Sequence, residues 1–213
     1  MIKKPSSKAW MRRHVNDPWV QRARAEGMRS RAAYKLLQID ARDKLLKPGT
    51  TVVDLGATPG GWSQVAARVV GKSGKVIAID LLAMEPLPDV AFIQDDFSTD
   101  QGLAAVELAL AGAKADLVLS DMAPNISGIA LSDQMRLIGL VELALDFAGK
   151  HLKPQGIFLV KVFHGTGFDG FVKAMRGVFQ KVESRKPEAS RGGSKEVYLL
   201  GRGLKHVARP ADV

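Results

Sequence analysis

Cysteine is absent from the 213 residues of this chain. Disulfides, thiolate metal sites and cysteine nucleophiles are thereby excluded, and the absence fits a reducing compartment such as the cytoplasm. Long apolar runs are missing too. The most apolar helical stretch, LIGLVELALDFAG, is broken by Glu142 and Asp146, so no segment is expected to span a membrane. The first residues, MIKKPSSKAWMRRH, hold no apolar signal core. Without a secretory signal, the sequon NIS at Asn125 is expected to be a chance match. His14, His151, His164 and His206 lack metal-ligand spacing, so no metal site is expected. Ser120 and Ser127 have no base in a nucleophile arrangement.

Positive charge is what the chain has in excess, and it is unevenly placed. The formal net charge is +9. Residues 1–35 carry ten Lys or Arg against Asp17 and Glu26, and residues 181–213 are also basic, while the middle is slightly acidic. This split points to a polyanion held by the two ends around a near-neutral body. Solvated basic tails are the plain alternative. The length suits one domain, 1–213, with a flexible basic segment at 1–15, N-terminal helices at 16–48 and an α/β core at 51–202.

Asn16 or Asp17 before Pro18 predicts a helix start, and Gly27 its end. A second helix is predicted from Ser30, with Ala33, Leu36, Leu37 and Ile39 on its apolar side. From residue 51, short apolar strands alternate with helical segments as far as GFDGFVKAMRGVF. That order predicts βαβ units and a mostly parallel sheet covered on both faces. KVESRKP and EVYLLGRG have no helix between them and predict a closing antiparallel hairpin.

The loop DLGATPGGW joins the first strand to its helix, where open α/β sheets bind ligands. Gly56, Gly60 and Gly61 let backbone approach a ligand, and Asp54 is placed to anchor the loop or meet an amino-acid moiety. The pattern lacks G-x-G-x-x-G and the Gly-Lys-Ser/Thr of a phosphate loop, which argues against a nucleotide-dependent oxidoreductase. Asp80 ends the second strand, where a carboxylate can accept from both ribose hydroxyls. Asp96 follows the third, where it can meet an adenine amino group. This register describes an adenosine without a pyrophosphate, and hence S-adenosylmethionine.

Lys161 interrupts the apolar strand GIFLVKVF, a costly place for an ammonium unless something compensates it. Asp121 ends a parallel strand, and Glu196 opens the antiparallel one, so both are predicted beside Lys161. Lys35, on the second helix close after Arg29 and Arg31, can close the site from above. Such a group suits methyl transfer to a hydroxyl, which needs a base. Lys161 can take the proton, or stay charged and orient the hydroxyl. A purely structural ion pair with Asp121 is the bland alternative. Arg185, Lys186, Arg191 and Lys195 in the loop before Glu196 are candidate phosphate contacts. Trp10, Trp19 and Tyr34 can stack on unpaired bases or, as is expected for Trp19, pack the N-terminal helices.

GMRSRAAYKL, VVDLGATPGGWSQ, DLLAMEP, SDMAPNISG, LVELAL, LVKVF and RKPEASRGGSKEVYLL occur in this order along nearly the whole chain. Together they resemble the FtsJ-type ribosomal RNA methyltransferases, which methylate a uridine ribose 2′-hydroxyl in the bacterial large subunit. The resemblance implies a Rossmann-like fold with a seven-stranded, mostly parallel sheet and an antiparallel last strand. It implies S-adenosylmethionine as donor, large-subunit ribosomal RNA as partner and a cytoplasmic enzyme, expected to be a monomer. It further implies a tetrad of Lys35, Asp121, Lys161 and Glu196, with Lys161 as proton acceptor. Donor-binding positions carried over are Gly60, Trp62, Asp80, Asp96 and Asp121, with Asp54, Gly56, Pro59, Gly61 and Phe97 as further candidates. Arg29 and Arg31 join the loop cations as candidate RNA contacts. Thr58, where the family usually has alanine, and VFHGTGF are departures that bear on the pocket rather than the reaction. Transfer RNA, a cap, or an RNA bound without catalysis are the alternatives.

Overall fold

The computed structural model describes residues 15–123, 130–191 and 193–205. The readings at Trp10, His14, Asn125, Ser127 and His206, and the basic segment up to residue 14, fall outside them. The elements are α1 (Pro18–Ala25), α2 (Ala32–Asp43), β1 (Thr51–Leu55), α3 (Gly61–Val70), β2 (Lys75–Asp80), β3 (Val90–Gln94), α4 (Asp100–Leu110), β4 (Ala115–Ser120), α5 (Ala130–His151), β5 (Leu152–Phe163), α6 (Phe168–Val178), β6 (Phe179–Arg185) and β7 (Glu196–Leu204).

Local chemistry sets several of these limits. Asp17 caps α1, its carboxylate accepting from the Trp19 amide at 3.0 Å, and Pro18 follows. Ser30 does not cap α2, which begins two residues later. Its hydroxyl is instead buried without a partner among the described residues, in a place where a side chain on Gly61 would collide with it. Thr99 caps α4 by accepting from the Gly102 amide at 3.1 Å. β5 starts at Leu152, four residues before the expected Gly156, because a register shift against β4 absorbs the extra length.

The strands form one seven-stranded sheet in the order β3-β2-β1-β4-β5-β7-β6. β1 to β5 pair in parallel, and β7 is inserted antiparallel between β5 and β6. Strand order reverses between β1 and β4, which opens a crevice at their carboxyl ends. Side chains alternate between two buried faces. Val53, Leu55, Ile79, Val118, Phe158 and Val160 meet α4, α5 and α6 on one side. Val52, Val76, Leu119, Leu159 and Leu200 meet α2 and α3 on the other. Each such side chain contributes roughly 1.5–3 kcal/mol on burial. Among the described residues, no helix is long and apolar enough to cross a membrane.

Two further contacts fix the N-terminal helices. Trp19 and Tyr34 pack ring against ring at 5.2 Å over Ala23 and Ala189, joining α1 to α2 and to the β6–β7 loop. At the other end of α2, Asp43 receives both arms of Arg185, Nε at 2.7 Å and a terminal nitrogen at 2.6 Å. Arg202 donates to the Asp43 carbonyl at 2.6 Å. Arg185 is 8% exposed, so the expectation that it contacts phosphate is corrected here. A buried guanidinium already forked onto a carboxylate has no donor face left for RNA. Despite its burial, Arg185 holds the Asp43 carboxyl below the ordinary carboxylate range.

Arg185→Ala is expected to cost about 3–5 kcal/mol of stability in denaturant unfolding, since it strands a buried carboxylate. The gap to wild type should narrow as pH falls through the depressed titration of Asp43. Unchanged stability with weakened RNA binding would restore the phosphate role.

Candidate active site

The crevice is shaped first by close backbone approach. Gly56 follows β1 at φ +78°, and a Cβ there would lie 2.6 Å from Met122 Cγ beyond β4. Gly60, at φ +100°, caps α3. A cleft of about 420 Å³ opens beside this turn, and its lining includes Gly56, Thr58, Asp80, Asp96, Phe97 and Asp121. A larger depression of about 870 Å³ lies at the opposite ends of the strands. Its lysines already donate to backbone carbonyls or to Asp146, and no reactive group converges on it.

Asp80 is held by two amides, Thr58 at 2.9 Å and Leu82 at 2.8 Å, one on each carboxylate oxygen. Each oxygen retains a further lone pair for a ligand hydroxyl. Thr58 also donates its hydroxyl to the Leu82 carbonyl at 3.0 Å, so this departure from alanine ties the loop to the segment after β2. Asp96 lies two residues beyond the end of β3 and accepts from the Ser98 amide and hydroxyl at 2.8 and 2.7 Å. Those two bonds lower its pKa and keep it ionised. Asp54 is wholly buried below the loop. One of its oxygens accepts from Ser63 at 2.6 Å, and the other has no partner among the described residues. Burial, with Asp121 and Asp80 nearby, pushes its pKa up to about 7 against the pull of Ser63.

Pro59, Gly60, Gly61 and Trp62 do not line this cleft. Pro59 borders a separate depression with Arg29 and Met84. Trp62 is buried under α2, donates to the Ala32 carbonyl at 2.7 Å and packs 5.6 Å from the Tyr198 ring.

The second half of the site adjoins Asp121. Lys161, 7% exposed, donates to the Asp121 carboxylate at 3.0 Å and to its backbone carbonyl at 2.6 Å. Lys35 reaches down from α2 to Glu196 at 2.8 Å, and Ser190 donates to the same oxygen at 2.9 Å. Burial alone would raise the Glu196 pKa, but Lys35, Ser190 and Lys161 together leave it lowered. Tyr198 stands between the two ion pairs, 3.1 Å from Asp121 and 3.3 Å from Glu196. The sequence reading named all four charged residues but missed Tyr198 and Ser190. Alternation along β7 was the available signal, because Tyr198 shares a face with Glu196 two residues earlier.

The remaining cations have local partners. Arg29 donates to the carbonyls of Pro59, Glu85 and Pro86, and Arg31 pairs with Asp17 at 2.6 Å and with the Ala189 carbonyl. Lys186 donates to the carbonyls of Ser194 and Glu196. Lys195 and Arg191 are exposed. His164 is exposed at the end of β5, its ring 4.4 Å from that of Phe168.

Comparison with known proteins decides the lineage: residues 28–204 match the FtsJ-like methyltransferase family. The chain belongs to that family. It is 62% identical over 205 residues to the Ribosomal RNA large subunit methyltransferase E of Azoarcus sp. (strain BH72), covering 96% of this chain and all of the relative. The protein of that name from Halorhodospira halophila is 61% identical, with 93% of each chain covered. A Plasmodium falciparum crystal structure assigned as a ribosomal RNA methyltransferase superposes with a TM-score of 0.73 at 31% identity, covering 83% of this chain and 98% of that one.

An FtsJ-like methyltransferase uses S-adenosylmethionine, and the residues present fit it. That molecule brings a sulfonium, an ammonium, two ribose hydroxyls and an adenine amino group. The cleft answers with the carboxylates of Asp80, Asp96 and Asp121, and the unpartnered Asp54 oxygen lies buried beneath the loop. Its volume falls in the range of small-molecule sites.

The raised Asp54 pKa fixes a pH dependence. The folded state holds this proton more tightly than the unfolded chain, so stability falls as pH rises between about 4 and about 7. Asp54→Asn should flatten that decline in thermal melts between pH 5 and 8 and be the more stable protein at pH 8. An equal slope in both proteins would show that Asp54 is ionised throughout.

Proposed function

We propose that the protein is an S-adenosylmethionine-dependent RNA 2′-O-ribose methyltransferase acting on a uridine of large-subunit ribosomal RNA, within the assembled subunit. The observation that carries it is Lys161, held by Asp121 at the margin of the donor cleft. The names of its relatives supply the class of RNA.

The bound donor supplies an electrophilic methyl group on a sulfonium. The chain's own residues hold the donor and handle the proton. Asp80 receives the ribose hydroxyls and Asp96 the adenine end, while Phe97 offers an apolar wall. Gly60, Gly61, Pro59 and Trp62 act through the shape of the loop and the start of α3 rather than as cleft wall.

A lysine nitrogen has three positions beyond its carbon, and Lys161 directs two at Asp121 oxygens. In the ammonium, the third carries a proton that can orient the ribose hydroxyl. In the neutral amine it carries the lone pair, aimed the same way. One geometry therefore serves both orientation and deprotonation. When the oxygen–methyl bond forms and the sulfonium bond breaks, the hydroxyl proton passes to Lys161, and Asp121 stabilises the new ammonium. Lys35 with Glu196 forms the opposite wall. Lys195 and Arg191, exposed nearby, are the side chains best placed for phosphate, with Arg29, Arg31 and Lys186 holding the surrounding loops. All these residues lie on one chain, which suits a monomer working among ribosomes in the cytoplasm.

Purified protein should transfer a labelled methyl group from S-adenosylmethionine to ribosomal RNA in large subunits, and ribose mapping should find it on a uridine 2′-oxygen. Lys161→Ala should lower turnover by about 10²-fold or more while calorimetric donor binding survives. Donor binding without transfer to any RNA would sink the enzyme reading, and full activity in Lys161→Ala would sink only the lysine's role. Transfer confined to transfer RNA would change the substrate alone.

A further inference from the structure

Tyr198 has a single hydroxyl proton and two carboxylates within reach. Asp121 Oδ1, at 3.1 Å, is the oxygen that also holds Lys161 Nζ. Glu196 Oε1, at 3.3 Å, is the oxygen that also holds Lys35 Nζ and Ser190 Oγ. Tyr198 is also the direct cross-strand partner of Lys161, so its ring flanks the lysine stem on the same face of the sheet. The ring is fully buried, packed on Trp62 from α3, with Lys35 Nζ 5.6 Å from its centroid. The ionisable groups facing it are Lys35 from α2, Asp121 after β4, Lys161 from β5 and Glu196 from β7 itself. Asp54 of β1 lies near enough to Asp121 to feel its charge.

One proton cannot satisfy two ionised carboxylates at once. The ion pairs differ, however, in how much they need it. While Lys161 is neutral, Asp121 has lost its counter-charge and is the acceptor in need. Once Lys161 has taken a proton, Asp121 is neutralised by the ammonium, and the hydroxyl is free to turn toward Glu196.

We propose that Tyr198 is a positioning residue for the methyl transfer, a hydroxyl rotor that supports Asp121 while Lys161 is unprotonated and releases it once Lys161 is charged. This rests on the methyltransferase reading above. Its effect is to ease the loss of the Lys161 proton between turnovers. Without the hydroxyl, Asp121 keeps a fuller charge and holds that proton harder. Because burial, Asp121 and Glu196 raise the phenol's own pKa well above its ordinary value, the rotor keeps its proton through the working pH range.

The test is Tyr198→Phe, which removes one oxygen and keeps the ring. Wild type and variant are compared in methyl transfer to large subunits across pH 6 to 10. The limb of kcat that rises with pH should move up by about one pH unit, with about tenfold lower kcat at pH 7, recovery at alkaline pH and unchanged donor affinity. A merely structural tyrosine would lower activity equally at all pH values, and that result, or an unmoved limb, overturns the proposal. Should Tyr198→Phe fold poorly, 3-fluorotyrosine is incorporated instead, since the chain has only Tyr34 and Tyr198. Its stronger hydroxyl donor should move the limb the other way, and no movement again overturns the proposal. A second readout needs no activity. The carboxyl ¹³C resonance of Asp121 in the ligand-free protein, followed from neutral to alkaline pH, should shift on loss of the hydroxyl at the alkaline end, where Lys161 is neutral, and a resonance unshifted there rejects the rotor. An inactive wild type with a shifted resonance would count against the enzyme reading alone.

Discussion

Two ammonium groups and two carboxylates share a pocket from which most water has been removed. Taking one such charge out of water costs several kcal/mol, and removing one partner of a buried pair strands the other. The four charges are therefore interdependent: Lys161 requires Asp121, and Glu196 requires Lys35. Buried pairs of this kind seldom add net stability compared with apolar packing of the same volume. Their presence beside the cleft is what the proposed methyl transfer would account for. The surrounding fold can be understood as the apparatus that brings four charged residues from one helix and three strand ends to within hydrogen-bond distance.

That requirement explains the odd strand. A sheet built only of parallel strands would place the amino end of its last strand far from the crevice. Inserting β7 antiparallel between β5 and β6 returns a strand start to the carboxyl ends, and Glu196 is the residue that opens it. The same inversion sets Tyr198 opposite Lys161. It also gives α2 a partner, for Arg185 and Arg202 at the hairpin both bind Asp43 at the end of that helix. The N-terminal helices thus form a wall of the site. α2 is fastened at its start by the Trp62 indole on Ala32 and at its end by the Arg185 fork, with Lys35 between.

What could be seen in the sequence follows from the range of each interaction. Strand ends followed by acids, as at Asp80, Asp96 and Asp121, are local patterns and were legible. The cost of Lys161 in an apolar strand was legible too, since hydropathy alone exposes it. Arg185 was misread because its partner Asp43 lies 142 residues away, and nothing near a basic loop announces that one of its cations is buried. The start of β5 was misplaced because a register shift depends on the neighbouring strand. Tyr198 reads as ordinary core in a strand of apolar residues. Only the folded pairing shows that its one polar atom falls between two carboxylates.

The charge distribution acquires a different meaning once partners are assigned. Part of the N-terminal and loop basicity is engaged within the molecule, with Arg29 and Lys186 donating to backbone carbonyls. A guanidinium on carbonyl oxygens remains a full positive charge, because neutral acceptors do not cancel it. These cations can therefore order the loops and still add to the long-range field that draws a polyanion. Arg185 and Arg31 differ, since the carboxylates of Asp43 and Asp17 neutralise them and remove them from that field. Net charge alone does not separate these cases. The identity of each cation's acceptor does, and it divides a basic surface into residues that add to the field felt by a polyanion and residues that only hold the protein together.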